Sequence, residues 1–219
     1  MPTDFKVSPL TSEYAQPAMR YYESTQAIAD FLGYLVSNVD PDKKPTKAQM
    51  TALMEQFPLV WELLFERLVD NFLNYVSDSL AMLFTKRPEM LKSEGTLTYK
   101  EVLEYPTREE LIAAITERKV IALSFKGLRD LNDDLEKRYA LSLFPISANL
   151  ERAVILVEKR NLIAHNRGIV NRRYLQNVPS ATEKLGDKLS FPQKYVLEEQ
   201  RFLSDSVTDI ADRVLNKFF

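Results

Sequence analysis

The chain has 219 residues with 29 basic and 31 acidic side chains and a net charge of −2. It therefore has no overall attraction to nucleic acid, and any phosphate binding must come from a local patch. The absence of cysteine excludes disulfides, thiolate metal sites and a cysteine nucleophile. We expect a soluble cytoplasmic protein, because the N-terminus lacks a signal-peptide pattern and no apolar stretch reaches the ~18–20 residues that span a bilayer.

The N-terminal part of the chain is dominated by helical periodicity. Apolar residues at spacings of three and four predict a first helix from Met19 to Val36. The segment from Asp40 to Pro45 is polar and bracketed by prolines, which predicts a linker. A second, longer helix is predicted from Thr46 to about Lys86, with a break or restart at Pro58.

Capping residues and prolines divide the middle of the chain. Thr107 and Glu110 have the spacing of a capping box, so a helix should begin there. Its apolar face continues to Tyr139 and is interrupted either by a cap at Ser124 or by a kink at Gly127.

The C-terminal part is predicted to hold two further helices. Ser147 or Asn149 should cap the first of them, and Gly168 is predicted to be a local break. A short extended piece near Lys188–Phe191 precedes the last helix, predicted from Gln193 to Phe218.

The predicted architecture is all-α. Residues 1–45 are expected to form an N-terminal helical arm, and residues 46–219 a helical bundle with at most one short hairpin near the C-terminus. With one histidine and no cysteine, an all-protein zinc site is not expected. No glycine-rich phosphate loop and no GxSxG elbow is present, so no cofactor is predicted.

The only histidine, His165, lies in an unusually basic segment. From Lys159 to Arg173 there is no acidic residue, and five basic residues occur: Lys159, Arg160, Arg167, Arg172 and Arg173. Taking these five charges from the net −2 leaves −7 on the rest of the chain. The segment is therefore strongly positive, whereas the rest of the chain has a net negative charge.

Helical spacing predicts a polar cluster within this segment. Asn161 and His165 lie four apart and share a face, and the guanidinium of Arg160 can swing toward the imidazole. The residues between them, Leu162, Ile163 and Ala164, are expected to pack inward. A single histidine near a helix end is more often a surface or structural residue, and arginine clusters are usually solvated. The residues alone leave a functional and a structural role open.

The stretch RNLIAHNRG resembles the signature of the HEPN superfamily (higher eukaryotes and prokaryotes nucleotide-binding), an arginine followed after four to six residues by a histidine. Asn161 matches the polar residue that commonly follows the arginine. The flanking LVEKRNLIAHNRGIVNRRYL and the upstream FKGLRDLNDDLEKRYALSLFP extend the resemblance, which covers roughly residues 58–219.

The resemblance implies a compact all-α bundle that forms homodimers through the face bearing the motif. Many members are metal-independent endoribonucleases that act as toxins or in phage defence, and others are non-catalytic modules that bind a nucleotide, RNA or a partner protein. By position, Arg160, Asn161 and His165 would be catalytic. The expected activity is RNA cleavage through the 2′-hydroxyl to a 2′,3′-cyclic phosphate, with an antitoxin or regulatory protein as a further partner.

The remaining basic side chains of the segment are candidates for phosphate binding. Lys159, Arg167, Arg172 and Arg173 are expected to contact the RNA backbone, since guanidinium groups bind phosphate oxygens in pairs. One chain offers a single histidine, whereas the reaction needs a base and an acid. A catalytic protein is therefore expected to be a homodimer with both motifs in one cleft.

Overall fold

A computed structural model of the chain describes residues 13–37, 47–92 and 96–219. All regular elements within these ranges are helical, which confirms the predicted all-α bundle. They are the short 3₁₀ turns Glu13–Ala15 and Pro88–Leu91 and the helices α1 (Gln16–Ser37), α2 (Lys47–Lys86), α3 (Tyr99–Leu103), α4 (Arg108–Ser124), α5 (Leu128–Tyr139), α6 (Ser147–Asn166), α7 (Arg172–Asn177) and α8 (Gln193–Phe218). None of the described helices contains a window apolar enough to cross a membrane.

Helix α2 is the centre of the bundle, and α1, α4, α6 and α8 pack around it. Its apolar side chains recur at spacings of three and four and are almost completely buried from Phe65 to Phe84. Burying one such side chain contributes roughly 1.5–3 kcal/mol. This central helix therefore fixes where α6, and the basic segment at its end, can lie.

Helix α1 packs into the same core. Ala18 and Tyr21 are buried, and the Tyr21 hydroxyl lies 3.3 Å from Ser204 Oγ on α8. The described part of the predicted arm is thus packed against the bundle. The predicted linker at Asp40–Pro45 and the boundary at residue 45 lie outside the described residues.

The predicted break at Pro58 is wrong, because α2 runs through this residue without interruption. A proline inside a helix removes one backbone hydrogen bond and costs about 3 kcal/mol. Burial along α2 from Leu64 onward offsets this cost, and the exposed side of the helix at Pro58 leaves room for the ring.

Helices α3 and α4 both begin after a threonine cap, and only the cap of α4 was predicted. Helix α4 begins after Thr107, whose hydroxyl accepts the N–H of Glu110 at 3.2 Å, as predicted. The complete capping box lies in α3, which was not predicted: Thr98 accepts the N–H of Glu101, and the Glu101 carboxylate accepts the N–H of Thr98. The interruption before Tyr139 is a full break, since α4 ends at Ser124 and Gly127 precedes α5.

The predicted cap of α6 is wrong. Ser147 is the first helical residue, and the N-cap position is occupied by Ile146, which has no side-chain acceptor. The N–H groups of Asn149 and Leu150 bond instead to the backbone carbonyl of Ile146. A backbone acceptor thus takes the place of the predicted side-chain cap.

Near the position predicted for a short hairpin, the described residues form one isolated antiparallel bridge, between Ile169 and Lys188. The Val170 N–H bonds to the Asp187 carbonyl at 2.9 Å, and the Leu189 N–H bonds to the Gly168 carbonyl at 2.9 Å. The pairing ties the segment after α7 to the end of α6.

Candidate functional site

The basic segment forms the last two turns of α6 and the turn that follows. Helix α6 ends at Asn166, and Arg167 and Gly168 adopt left-handed conformations with φ of 55° and 71°. The N–H groups of both residues point to the carbonyl of Leu162, at 2.8 Å for Gly168. The predicted local break at Gly168 is confirmed, since α6 ends two residues before it, and His165 lies in the final turn.

Asn161 and His165 lie one turn apart on α6, as their spacing predicts. Asn161 is half-buried and His165 is exposed. The imidazole makes no hydrogen bond or ion pair with any residue that the structure describes. Leu162 and Ile163 pack inward as predicted, but Ala164 is exposed, so that part of the prediction is wrong. The ring of His165 is therefore available to a ligand.

Arg160 is directed toward α2. Its Nε lies 2.7 Å from Asp70 Oδ1, and the two side chains are 25% and 28% exposed. The buried Nε has no well-aligned acceptor, so the contact is ionic rather than a good hydrogen bond. The terminal Nη1 lies 3.4 Å from Asn161 Oδ1. No hydrogen bond joins Arg160 to His165 among the described residues, in contrast to the predicted swing toward the imidazole.

Lys159 points to a different part of the bundle. Its Nζ lies 3.1 Å from Glu183 Oε1 and 5.1 Å from the ring centre of Tyr195, and only 17% of the side chain is exposed. Glu183 also accepts the hydroxyl of Tyr174 at 3.3 Å. The charge of Lys159 is thus compensated within the fold, and its role in phosphate binding stays a prediction.

Burial acts to raise the pKa of Glu183, but its hydrogen bonds and the nearby ammonium of Lys159 outweigh this and lower the pKa below its ordinary 4.5. The ionised carboxylate therefore stabilises the fold at neutral pH, and this contribution is lost as the pH falls through the lowered pKa. We expect Glu183→Gln to reduce the free energy of unfolding by about 1 kcal/mol at pH 7. The difference from wild type should shrink below pH 4, as measured by denaturant unfolding.

The matched control for this prediction is Glu136→Gln on α5, where the carboxylate is exposed. This variant should unfold like wild type at both pH values. A Glu183→Gln variant that loses the same free energy at pH 7 and at pH 3 would contradict the expected pH dependence.

The three remaining arginines are exposed. Arg167 lies in the turn after α6, and Arg172 and Arg173 form the first turn of α7, which Asn171 caps by accepting the N–H of Tyr174 at 2.9 Å. None of these three guanidinium groups forms an ion pair with a described residue. Acids from distant segments therefore neutralise Lys159 and Arg160, and the uncompensated positive charge lies at the turn and on α7.

Two charged residues that the sequence did not indicate also lie at the end of α6. Lys188 Nζ is 3.1 and 3.0 Å from the carboxylate oxygens of Glu62 on α2, and it donates to the carbonyl of Arg167. Glu62 is 106 residues before Gly168 and Lys188 is 20 residues after it, as the numbering shows. No local pattern connects these positions, so only the folded chain could reveal them.

Within the described ranges, no group of three or more His, Asp and Glu side chains is arranged to hold a metal ion. The functional candidates at the end of α6 are the exposed imidazole of His165, the arginines of the basic segment and the half-buried amide of Asn161. This set can exchange protons and bind an anion.

Comparison with known proteins gives no further assignment. No protein-family model matches the chain, and no match is found among curated proteins or solved structures.

Proposed function

We propose that this protein is a metal-independent endoribonuclease of the HEPN type. The observation that carries the proposal is the exposed His165, without a described partner, in the last turn of a helix that also bears Arg160 and Asn161. The uncompensated arginines at positions 167, 172 and 173 lie in the turn and helix that follow. Together they offer a proton-transfer group beside an anion-binding surface.

The proposed reaction uses the RNA's own 2′-hydroxyl as the nucleophile. A base removes the 2′-hydroxyl proton, the oxygen attacks the adjacent phosphorus, and the bond to the 5′-oxygen breaks as an acid protonates that oxygen. The products are a 2′,3′-cyclic phosphate and a free 5′-hydroxyl. His165 suits the proton transfers because histidine titrates near neutral pH. Arg160 suits the phosphorane, since its Nε lies against Asp70 and its terminal Nη1 lies on the side of Asn161.

Asn161 would orient Arg160 or the phosphate, because its side-chain oxygen lies 3.4 Å from Arg160 Nη1. Arg167, Arg172 and Arg173 would hold the flanking phosphates. Such a protein would act in the cytoplasm as a toxin or phage-defence factor, with an antitoxin or regulatory protein as partner, as the resemblance implies.

The proposal is tested by incubating the purified protein with RNA in excess chelator. Cleavage to fragments with 2′,3′-cyclic phosphate ends is the expected result. If no RNA of several kinds, structured and single-stranded, is cut, the proposed activity is wrong.

A homodimer through the motif-bearing face would supply the second histidine. Four exposed apolar side chains support this face, because they lie on the segments around the end of α6: Leu59, Leu63, Ile169 and Leu185. Leu63 is 54% exposed and adjoins Glu62, which contacts Lys188. Apolar side chains exposed together on a surface mark sites of protein association.

We expect Leu63→Glu to convert a dimer to monomers and to lower RNA cleavage at least about 100-fold, because a charge buried in an interface is strongly unfavourable. Mass by light scattering and initial cleavage rates are the measurements. The matched control is Leu103→Glu on α3, where the leucine is 83% exposed and distant from the motif in the chain. A Leu63→Glu variant that remains dimeric and active would exclude this face.

The alternative is a non-catalytic helical module that binds a nucleotide, RNA or a partner protein. The observation that favours it is the ion pair of Arg160 with Asp70, which compensates the charge that a phosphorane would need. In that case His165→Ala should leave ligand binding intact, and no variant should change an RNA cleavage rate.

A further inference from the structure

Lys188 joins three segments that meet at the end of α6. Its ammonium contacts both carboxylate oxygens of Glu62 and donates to the carbonyl of Arg167. Its backbone forms the bridge to Ile169. The Glu62 side chain is only 17% exposed, whereas Lys188 is 53% exposed. The half-buried carboxylate of Glu62 thus anchors the ammonium of Lys188 against the end of α6.

The turn beneath this ammonium has an unfavourable backbone. Arg167 has φ of 55°, a left-handed conformation that is unfavourable for a residue with a Cβ. Such conformations persist where surrounding contacts hold them. Here the carbonyl of Arg167 accepts the Lys188 ammonium, and the N–H groups of Arg167 and Gly168 bond to Leu162.

Gly168 shows how closely Lys188 and the turn are fitted to each other. A Cβ at this position would lie 2.8 Å from Lys188 Nζ and 3.6 Å from Glu62 Oε1. The φ of 71° also favours glycine. The turn therefore favours glycine at position 168, and a Cβ there would displace the ammonium at the flexible end of Lys188.

His165 lies two residues before this turn, and no described side chain holds its ring. Its position is set by the backbone of the last turn of α6, which the turn at Arg167 and Gly168 terminates. We propose that Lys188, anchored by Glu62, is a positioning residue for His165. The catalytic consequence rests on the proposed function, whereas the structural consequence does not.

The kinetic test compares Lys188→Met with Lys184→Met. Lys184 lies in the same loop, is exposed, and its side chain forms no ion pair with a described residue. We expect Lys188→Met to lower kcat about 10- to 100-fold with KM within about twofold, since small displacements of a catalytic group have effects of this size. Lys184→Met should match wild type, and a wild-type kcat in Lys188→Met would overturn the proposal.

A double variant separates positioning from charge. Lys188→Met alone leaves the carboxylate of Glu62 without its partner, and this charge could repel RNA. Glu62→Gln combined with Lys188→Met removes that charge, but the Arg167 carbonyl still lacks its donor. The double variant should remain as slow as Lys188→Met. Recovery to the wild-type rate would show that charge caused the loss and would overturn the positioning role.

The structural test uses the single histidine as a reporter. Because His165 is the only histidine, the proton on its Cε1 gives one unambiguous resonance in the NMR spectrum. Lys188→Met should shift this resonance and speed hydrogen exchange of the Gly168 amide, and Lys184→Met should do neither. Gly168→Ala, whose added methyl group would displace the Lys188 ammonium, should also shift the His165 resonance and speed hydrogen exchange of the backbone amide at position 168. Unchanged spectra in Lys188→Met would overturn the proposal.

The kinetic and structural tests distinguish failure of the proposed function from failure of the positioning role. A wild-type protein that cuts no RNA, with a shifted His165 resonance in Lys188→Met, would remove the proposed function and support the positioning role. A wild-type protein that cuts RNA, with an unshifted resonance and an unchanged kcat in Lys188→Met, would support the activity and remove the positioning role.

Discussion

Replacing His165 by alanine is expected to lower RNA cleavage by about 10³- to 10⁴-fold, because a positioned general acid or base contributes 10²–10⁴ to a rate and His165 would supply both groups in a dimer. The free energy of unfolding should change by no more than about 0.5 kcal/mol, since the exposed imidazole bonds to no described residue. Initial rates in excess chelator and denaturant unfolding measure the two effects.

Gln176→Ala is the matched control for His165→Ala. Gln176 is a polar, exposed residue on α7, near the basic turn in the chain. Its removal should affect neither cleavage nor stability. Equal cleavage by wild type and His165→Ala would show that any ribonuclease activity comes from elsewhere.

Replacing Arg160 by lysine is expected to lower cleavage by about 10²- to 10³-fold, the effect of losing one preorganised donor to a developing negative charge. Arginine can contact Asp70 through Nε and still present two terminal nitrogens, whereas lysine has a single nitrogen for both partners. The conservative change should therefore be nearly as harmful as Arg160→Ala, although it retains the positive charge. Initial rates on one RNA substrate measure this.

Stability separates the two Arg160 variants. Arg160→Ala leaves the carboxylate of Asp70, which is only 28% exposed, without a cation and should cost about 1–3 kcal/mol of unfolding free energy. Arg160→Lys should lose less. Arg201→Lys on α8, an exposed position, is the control and should change neither quantity. Wild-type cleavage by Arg160→Lys would exclude a role for the guanidinium fork.

The expected effects of these variants depend on which cations near His165 are paired with a carboxylate. Three carboxylates from outside the basic segment, Glu62, Asp70 and Glu183, lie against Lys188, Arg160 and Lys159 respectively. Side chains that look like one basic patch along the chain are thus divided in space. Lys159, Arg160 and Lys188 each contact a carboxylate, whereas the exposed arginines contact none among the described residues.

Long helices could be predicted from the sequence because burial repeats in them at every turn. Helix α8 runs from Gln193 to Phe218 as predicted, and α6 ends two residues before the predicted break at Gly168. Short elements could not be predicted in the same way. Helices α3 and α7 have five and six residues, too few for a periodic apolar pattern to emerge. The predicted break at Pro58 is wrong because the burial of apolar side chains along α2 outweighs the loss of one backbone hydrogen bond at the proline.

By itself, the sequence determined the helical class and the presence of Arg160, Asn161 and His165 on one helix, because both follow from spacing along a continuous α-helix. Only the tertiary structure decided which cations are compensated and how the helix end is held. Ion pairs such as Arg160 with Asp70 and Lys188 with Glu62 join positions about 90 and 126 residues apart. Such contacts depend on which faces of packed helices meet, and the spacing of residues along one helix does not predict this.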